Sequence, residues 1–523
     1  MSVGLSFFGA AGCVTGSCML LQTPTAKVLI ECGLFQGPKT LKALNYGDFP
    51  FDAAELDAVL LTHAHVDHSG LLPKLMLAGF DKRIYATRGT RDLCGVLLPD
   101  AGAIQEMEVE ALNMRNRRHG KPEVTPIYTA RDAEACAELF EPVALETWED
   151  VAAGVRARWW NAGHILGSAS IEVEVANGGQ TQTILFSGDI GPGGRSFSED
   201  PTGPGGVDHL VIESTYGDRE RPPVGDDERK RLLAEQIVAA HVAGGPLLIP
   251  AFAVERTQEL IVDLIELMET ARAPPAPIFL DSPLAIRASD VFLRHDGENA
   301  PFERLRESRW LKFTEETRES RAIERVQGWH VIVAASGMCD AGRVRHHLKR
   351  LLWRPEATVL LTGFQAVGTL GRLLQDGRRA VRIQGDDVKV AARVQSLDIY
   401  SGHADASGLV SWAQARGPVR GAVFMTHGEP EGVEGLERRL KAAGVAGGRV
   451  LAAELDQTYR LEPQGAAPEA RRKPRLRTGA AAKLDWHNAR SEFLAQLHEK
   501  LDAASDDAAR EAIIADLAQR LRR

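Results

Sequence analysis

His63-Ala64-His65-Val66-Asp67-His68 places three imidazoles and a carboxylate within six positions. The run follows Val59-Leu60-Leu61-Thr62, a short apolar stretch that reads as a buried strand. It precedes Ser69-Gly70-Leu71-Leu72, which reads as the start of a helix. The polar groups are therefore expected on a strand-to-helix corner, where they converge on one point. Neutral imidazole nitrogen and carboxylate oxygen are the donor types that hold zinc. Four such donors at this spacing crowd a single tetrahedral ion. They suit two ions side by side, with His63 and His65 on one and Asp67 and His68 on the other. A cluster of solvated surface histidines is the bland alternative, and the buried strand leading into the run argues against it.

This pattern resembles the signature of the metallo-β-lactamase superfamily. The resemblance calls for a further histidine after a strand, and Trp159-Trp160-Asn161-Ala162-Gly163-His164 offers one. It also calls for a carboxylate at a strand end, which Thr183-Ile184-Leu185-Phe186-Ser187-Gly188-Asp189 supplies, and for an early acidic residue, where Val28-Leu29-Ile30 runs into Glu31. The family more often carries Asp there. Glu31 is read as a residue that orients the ligand loop.

Bulk properties narrow the class. At 523 residues the chain is long enough for two or more domains, and 44% apolar with 25% charged residues is ordinary for a globular protein. No apolar run approaches the roughly 20 residues needed to span a bilayer. Met1-Ser2-Val3-Gly4-Leu5 has no basic segment before its apolar stretch, so no secretory signal is expected. Six scattered cysteines without paired spacing read as reduced thiols, and a cytoplasmic location follows as an expectation. A net charge of −9 argues against broad coating by nucleic acid, while leaving room for a local positive cleft.

From about Pro222 the rhythm changes to apolar strands alternating with amphipathic helices. Examples are Pro246-Leu247-Leu248-Ile249-Pro250, Pro277-Ile278-Phe279-Leu280-Asp281, His330-Val331-Ile332-Val333-Ala334 and Ala357-Thr358-Val359-Leu360-Leu361. This alternation implies a parallel sheet covered on both faces. Two more histidines then stand at strand ends, in Ser401-Gly402-His403-Ala404-Asp405 and Thr426-His427-Gly428-Glu429. The chain is expected to leave its first domain (1–214), build a second (215–395) and return to complete the first (396–463). Residues 464–523 read as a linker, a basic run (Arg471-Arg472-Lys473-Pro474-Arg475-Leu476-Arg477) and a helical extension. Leu484, Phe493, Leu494, Leu497 and Leu501 form its apolar stripe.

Val211-Ile212-Glu213-Ser214-Thr215-Tyr216-Gly217, the two histidine motifs, Ala335-Ser336-Gly337-Met338-Cys339-Asp340-Ala341-Gly342-Arg343 and Gly363-Phe364-Gln365-Ala366-Val367-Gly368-Thr369-Leu370-Gly371-Arg372 together resemble the β-CASP group. The likeness covers about residues 3–460 and is greatest to prokaryotic relatives of the pre-mRNA 3′-end processing endonuclease. It implies an α/β fold, an αββα sandwich with an inserted β-CASP domain. It also implies two Zn2+ ions, with His63, His65 and His164 on one, Asp67, His68 and His427 on the other, and Asp189 bridging. The implied activity is hydrolysis of RNA by a metal-bridged hydroxide, mainly endonucleolytic, leaving 5′-phosphate and 3′-hydroxyl ends. Asp67, Asp189, Glu213 and His403 are the expected catalytic groups, with His403 as general acid and Glu213 orienting it. Ser336, Gly337 and Arg343 are expected to hold a phosphate, through backbone N–H groups at a helix N-terminus and a charge-assisted contact. His346 and His347 read as a solvated or packed helix face. Single-stranded RNA is the expected partner and a second copy of the chain a candidate one, with no membrane. A 5′ exoribonuclease of the ribonuclease J type, a small-molecule hydrolase and a non-catalytic RNA-binding scaffold are the rival readings.

Overall fold

The computed structural model describes residues 2–177, 179–194, 199–221, 224–296, 308–469, 474–476 and 486–522. Two sheets pack face to face. The first runs in the order Gly465–Pro468, Gln457–Glu462, Gly4–Phe7, Met19–Gln22, Lys27–Ile30, Ala58–Leu60, Arg83–Thr87 and Phe140–Val143. The second runs Val450–Ala452, Val423–Thr426, His209–Glu213, Gln180–Phe186, Ala169–Asn177, Val155–Asn161 and Trp148–Ala152.

Side chains alternate across each strand, which explains the layering. Phe7, Leu21, Val28, Ile30 and Leu60 meet Trp159, Ile171, Val173, Phe186 and Phe424 between the sheets. Leu20, Leu29, Val59 and Leu61 point the other way, into a cluster shared with Leu72, Leu75, Leu93 and Leu97. On the far side Leu185, Leu210, Ile212, Val423 and Met425 are covered by Leu409, Trp412, Leu436 and Leu440. The result is a helix–sheet–sheet–helix sandwich, as the sequence implies.

The inserted segment forms a third sheet, ordered Leu311–Phe313, Ile278–Leu280, Val331–Ala334, Leu247–Pro250, Thr358–Leu361 and Arg393–Ser396, with every pairing parallel. Its strands are buried on both faces: Leu247, Ile249 and Val333 enter one cluster, and Leu248, Ile332 and Val359 enter another. That explains their unbroken apolar runs.

Polar clamps dock this unit on the sandwich. Lys42 Nζ pairs with Asp340 at 2.8 Å, and the Glu429 carboxylate accepts from the Val367 N–H at 2.8 Å and meets Arg372 at 3.3 Å. The long helix Arg88–Arg118 adds Asp92–His295, Asp100–Arg287 and Glu108–Arg345 pairs.

One expectation needs correction. Gln464 to Pro468 is not a linker, because Gly465–Pro468 pairs antiparallel with Gln457–Glu462 at the sheet edge. The first strand ends at Phe7 and turns into a loop. In the basic run, the Arg475 side chain pairs with Asp456 at 2.9 Å and donates to the Phe8 carbonyl. Arg471, Arg472, Lys473, Arg477 and Leu484 lie outside the described residues. Helices Trp486–Asp502 and Asp507–Leu521 follow, exposing Trp486, Phe493, Ile514 and Leu521. No helix among the described residues is long and apolar enough to cross a membrane.

Trp159 is fully buried between the sheets and its indole N–H donates to the Leu61 carbonyl, just ahead of the histidine run. Trp159→Ala is expected to lower unfolding stability by about 3–5 kcal/mol. Denaturant titration followed by circular dichroism checks this.

Candidate metal centre

The strands carrying the predicted donors end at one edge of the sandwich. Gln180–Phe186, His209–Glu213 and Val423–Thr426 run parallel, with Phe186 opposite Val211 and Glu213 opposite Thr426. Asp189, Glu213 and His427 therefore emerge side by side, facing the corner after Ala58–Leu60. Loops at the carboxyl ends of parallel strands are where α/β sheets place ligand sites.

Each imidazole is oriented by the bond its outer nitrogen makes. His68 Nδ1 donates to Glu31 Oε1 at 2.7 Å, and His164 Nδ1 donates to the Gly402 carbonyl at 2.8 Å. The Thr62 hydroxyl gives its proton to Glu31, so its oxygen accepts from His63 Nδ1 at 3.0 Å. Thr215 gives its proton to the His427 carbonyl and accepts from His427 Nδ1 at 3.1 Å. In its neutral form each of these four rings thus carries its proton outward and turns a bare Nε2 inward.

The inward atoms lie close together. His65 Nδ1 stands 3.1 Å from His63 Nε2 and 3.2 Å from His164 Nε2. Asp189 Oδ2 stands 3.5 Å from both His63 and His164 Nε2, and 3.4 Å from His68 Nε2. His68 and His427 Nε2 are 3.0 Å apart, and Asp67 Oδ2 is 3.6 Å from His427 Nε2. Donors bound at 2.0–2.1 Å around a tetrahedral ion sit about 3.3–3.4 Å from one another, which these separations bracket.

Without a cation the centre is unfavourable. Two bare Nε2 atoms face one His65 nitrogen, which has at most one proton to give. The buried His65 Nε2 and Asp189 Oδ1 have no hydrogen-bond partner among the described residues. Unsatisfied buried polar atoms carry a free-energy penalty, and a divalent cation removes it here. Two donor groups share the site: His63, His65, His164 and Asp189 form one, and Asp67, His68 and His427 form the other. His63 and His65 of the first run thus fall in one group, and Asp67 and His68 in the other.

Electrostatics differ between the groups. Burial holds His63 and His164 well below the usual imidazole range, and His65 is lowered to about 4. These rings are neutral and offer lone pairs. Burial also opposes charge on His68, but the Glu31 and Asp189 carboxylates outweigh it and hold the ring well above its usual value. His427 is raised against burial by Asp189 and Asp67. Burial alone would raise Asp189, yet His427, His68, His403 and His63 hold it well below the carboxylate range. A cation in the second group replaces protons that otherwise balance these carboxylates.

His403 stands beside the donors. Its Nδ1 lies 3.1–3.2 Å from the two oxygens of the fully buried Glu213, whose Oε1 also accepts from the Ile190 N–H at 2.6 Å. Glu213 thereby sets the ring so that Nε2 points toward Asp189 Oδ2, 3.9 Å away. His403 keeps 15% of its side chain exposed, whereas the donors around it are more deeply buried on the first group.

The expected phosphate-holding residues are arranged differently. The helix Val344–Leu351 begins eight positions after Ser336, so neither Ser336 nor Gly337 stands at its N-terminus. Ser336 closes its own turn, its carbonyl accepting from the Cys339 N–H at 3.0 Å. Arg343 donates to Asp281 at 2.7 Å and to the Thr314 and Glu315 carbonyls at 2.9 and 2.6 Å, which ties its guanidinium inside the inserted unit. His347 packs inward and bonds the same Asp281 at 2.6 Å, while His346 is exposed.

Sequence reasoning missed Thr62 and Thr215, the acceptors that orient His63 and His427, and two residues after Leu247–Pro250, one in the loop and one at the start of the next helix. Phe252 lies 6.3 Å from the His65 ring, and a Cβ on Gly337 would meet Phe252 at 2.6 Å. Arg256 donates to the His164 carbonyl at 3.0 Å. The available signal was position alone, a loop at the carboxyl end of a parallel strand. Glu31 and His427 both hold left-handed backbone, with φ of 64° and 50°. Such strained conformations concentrate where side-chain aim matters. The His427 N–H is pinned by the Ala10 carbonyl at 2.7 Å.

The family model for the metallo-β-lactamase superfamily matches residues 11–234, that for the Beta-Casp domain residues 257–374, and that for the Zn-dependent metallo-hydrolase RNA specificity domain residues 387–451. The chain is 36% identical to Ribonuclease TTHA0252 of Thermus thermophilus over 445 residues, which are 84% of this chain and 96% of that one. It is 31% identical to Transcription termination factor FttA of Methanocaldococcus jannaschii over 456 residues, 82% of this chain and 67% of the relative. An RNase J-like protein of the same organism is 30% identical over 428 residues, 81% and 92% of the two chains.

Glu31→Gln removes the charge that holds His68 and changes one acceptor to a donor. It is expected to weaken metal retention roughly 10–100-fold. Competition against a chromogenic chelator measures this.

Proposed function

The chain belongs to the β-CASP group of the metallo-β-lactamase superfamily, and on that premise we propose that it is a zinc-dependent ribonuclease that cuts within single-stranded RNA. The observation that carries the reading is the position of one carboxylate oxygen. Asp189 Oδ2 lies within 3.4–3.5 Å of inward nitrogens from both donor groups and 3.9 Å from His403 Nε2. In this reading His63, His65 and His164 hold one Zn2+, Asp67, His68 and His427 hold the second, and Asp189 serves both. When bound, the pair supplies positive charge beside the scissile phosphate and acidifies water.

The protein's own groups do the rest. His403 donates a proton from Nε2 to the departing sugar oxygen. Glu213 keeps the Nδ1 proton in place, which fixes the ring. The products carry 5′-phosphate and 3′-hydroxyl ends. The preference for a single strand is supported by aromatic rings beside the centre: Phe252 near His65, and Phe364 against Tyr216, whose ring stands 6.1 Å from His403. Unpaired bases stack on such faces, and paired ones do not offer theirs. Gly337 contributes by leaving room for the Phe252 ring, and Ser336 and Arg343 by fixing the segment that carries it, Ser336 through its own turn and Arg343 through Asp281.

The metallo-β-lactamase unit comprises residues 1–214 and 396–463 with the added edge strand Gly465–Pro468, and the inserted unit 215–395. Six buried, unbridged cysteines support a reducing, cytoplasmic setting. The exposed Trp486, Phe493, Ile514 and Leu521 support a second copy as partner of the helical tail. A full-length chain that sediments as a monomer overturns that part.

Similarity to the RNase J-like protein favours 5′ exonucleolysis as a second reading. Incubation with circular and 5′-labelled linear RNA separates the two, because an exonuclease leaves the circle intact. Linearised circles are expected. His403→Ala is expected to slow cleavage about 10²–10⁴-fold with metal content unchanged. Asp189→Ala is expected to lose metal from both groups, as read by elemental analysis.

A further inference from the structure

A ring of buried polar contacts runs from the inserted unit into the metal centre and back. Arg256 opens the helix Arg256–Glu269 and is 7% exposed. Its Nη2 donates to the carbonyl of His164 at 3.0 Å, and its Nη1 donates to Glu259 Oε2 at 3.0 Å. The other Glu259 oxygen faces Arg229 Nη1 at 3.4 Å. Arg229 holds both oxygens of Asp263, at 2.8 and 3.2 Å, and the Tyr400 hydroxyl donates to Asp263 at 2.6 Å. Tyr400 leads through Ser401 to Gly402, whose carbonyl accepts from His164 Nδ1 at 2.8 Å. The circuit thus closes on the residue where it began. Glu259, Arg229, Asp263 and Tyr400 are all nearly inaccessible to solvent.

The geometry at the closing point is tight. A Cβ on Gly402 would overlap the Arg256 guanidinium and stand 2.9–3.0 Å from the His164 ring. Gly402 is thus the position that lets guanidinium, imidazole and the His403 segment meet. Two arginines face two acids within the ring, so their charges are matched where burial would otherwise penalise each of them. A guanidinium suits this junction because its planar fork serves two acceptors at fixed angles, which an ammonium on a flexible stem does not.

We propose that Arg256 is a positioning residue, through which the inserted unit sets the backbone of the metal donor His164 and, by way of Tyr400 and Gly402, the placement of His403. This deepens the ribonuclease reading and rests on it. It makes the inserted unit a supporting part of the catalytic geometry. A shift of that unit against the sandwich moves the general acid and one donor together.

The test compares purified wild type, Arg256→Gln, Arg256→Lys, Tyr400→Phe and the Arg256→Gln/Tyr400→Phe double variant. Three readouts are taken: thermal melting, the rate of metal release to a chelator, and kcat and KM on a single-stranded RNA. Arg256→Gln is expected to lower kcat about 10–100-fold with KM unchanged, and to release metal faster than wild type. Arg256→Lys recovers part of both. Tyr400→Phe touches no donor and keeps the ring's shape, and it is expected to lower kcat several-fold. If the two sites act through one ring, the double variant loses less than the product of the single losses. Full multiplication of the losses, or wild-type kcat and metal release in Arg256→Gln, overturns the proposal. Should Arg256→Gln fail to fold, Tyr400→Phe decides alone: wild-type kcat there overturns it. Wild type that leaves RNA uncut defeats the ribonuclease reading instead, and the metal-release comparison then decides the role of Arg256 separately.

Discussion

The structure depends on imidazole nitrogens being forced to face one another around the Asp189 carboxylate. No arrangement of neutral rings satisfies that core, because neutral His63, His68, His164 and His427 hold their single protons on the outward side, at Thr62, Glu31, Gly402 and Thr215. Those outward bonds are the costly part of the design, since each needs a buried acceptor aimed at one ring atom. Glu31 shows how much is concentrated in one group. It takes the His68 proton, the Thr62 hydroxyl and the Ser17 hydroxyl at once, on a left-handed backbone. The rest of the sandwich holds these few acceptors still.

The fold supplies that rigidity by layering. Ala58–Leu60, His209–Glu213 and Val423–Thr426, which end at the centre, are buried on both faces, so a change of register by one residue would turn every side chain of the strand over. Leu60 faces the partner sheet while Val59 and Leu61 face the helices, and this alternation fixes where His63 leaves the strand. The inserted unit then closes over the edge through Lys42–Asp340, Glu429–Arg372 and Arg256–His164. These contacts come from three separate stretches of the sandwich, which holds the unit in one orientation.

Much of this was legible in the chain. The candidate metal donors sit in short runs after apolar strands, a pattern that survives without tertiary information because donor chemistry restricts residue type. The parallel inserted sheet was legible because strands covered on both faces must be apolar throughout. Errors fell where local chemistry is ambiguous. Gly465 to Pro468 has the composition of a linker, and only an adjacent free edge at Gln457–Glu462 makes it a strand. Arg343 follows a turn and has the look of an anion ligand, but a buried carboxylate, Asp281, lies nearer than any substrate.

By itself, then, the sequence determined which atoms are able to bind a cation, the order in which strands deliver them, and the break between the two kinds of sheet. These follow from side-chain chemistry and hydrophobic period, both local properties. Tertiary structure alone decided how those atoms are aimed and divided: Asp189 between two donor groups, Thr62 and Thr215 behind the rings, and Arg256 reaching from one unit to a backbone carbonyl of the other. Such contacts join residues far apart in the chain through single hydrogen bonds. A bond of that kind leaves no periodicity or composition behind, because any residue with the right donor at the right place would serve.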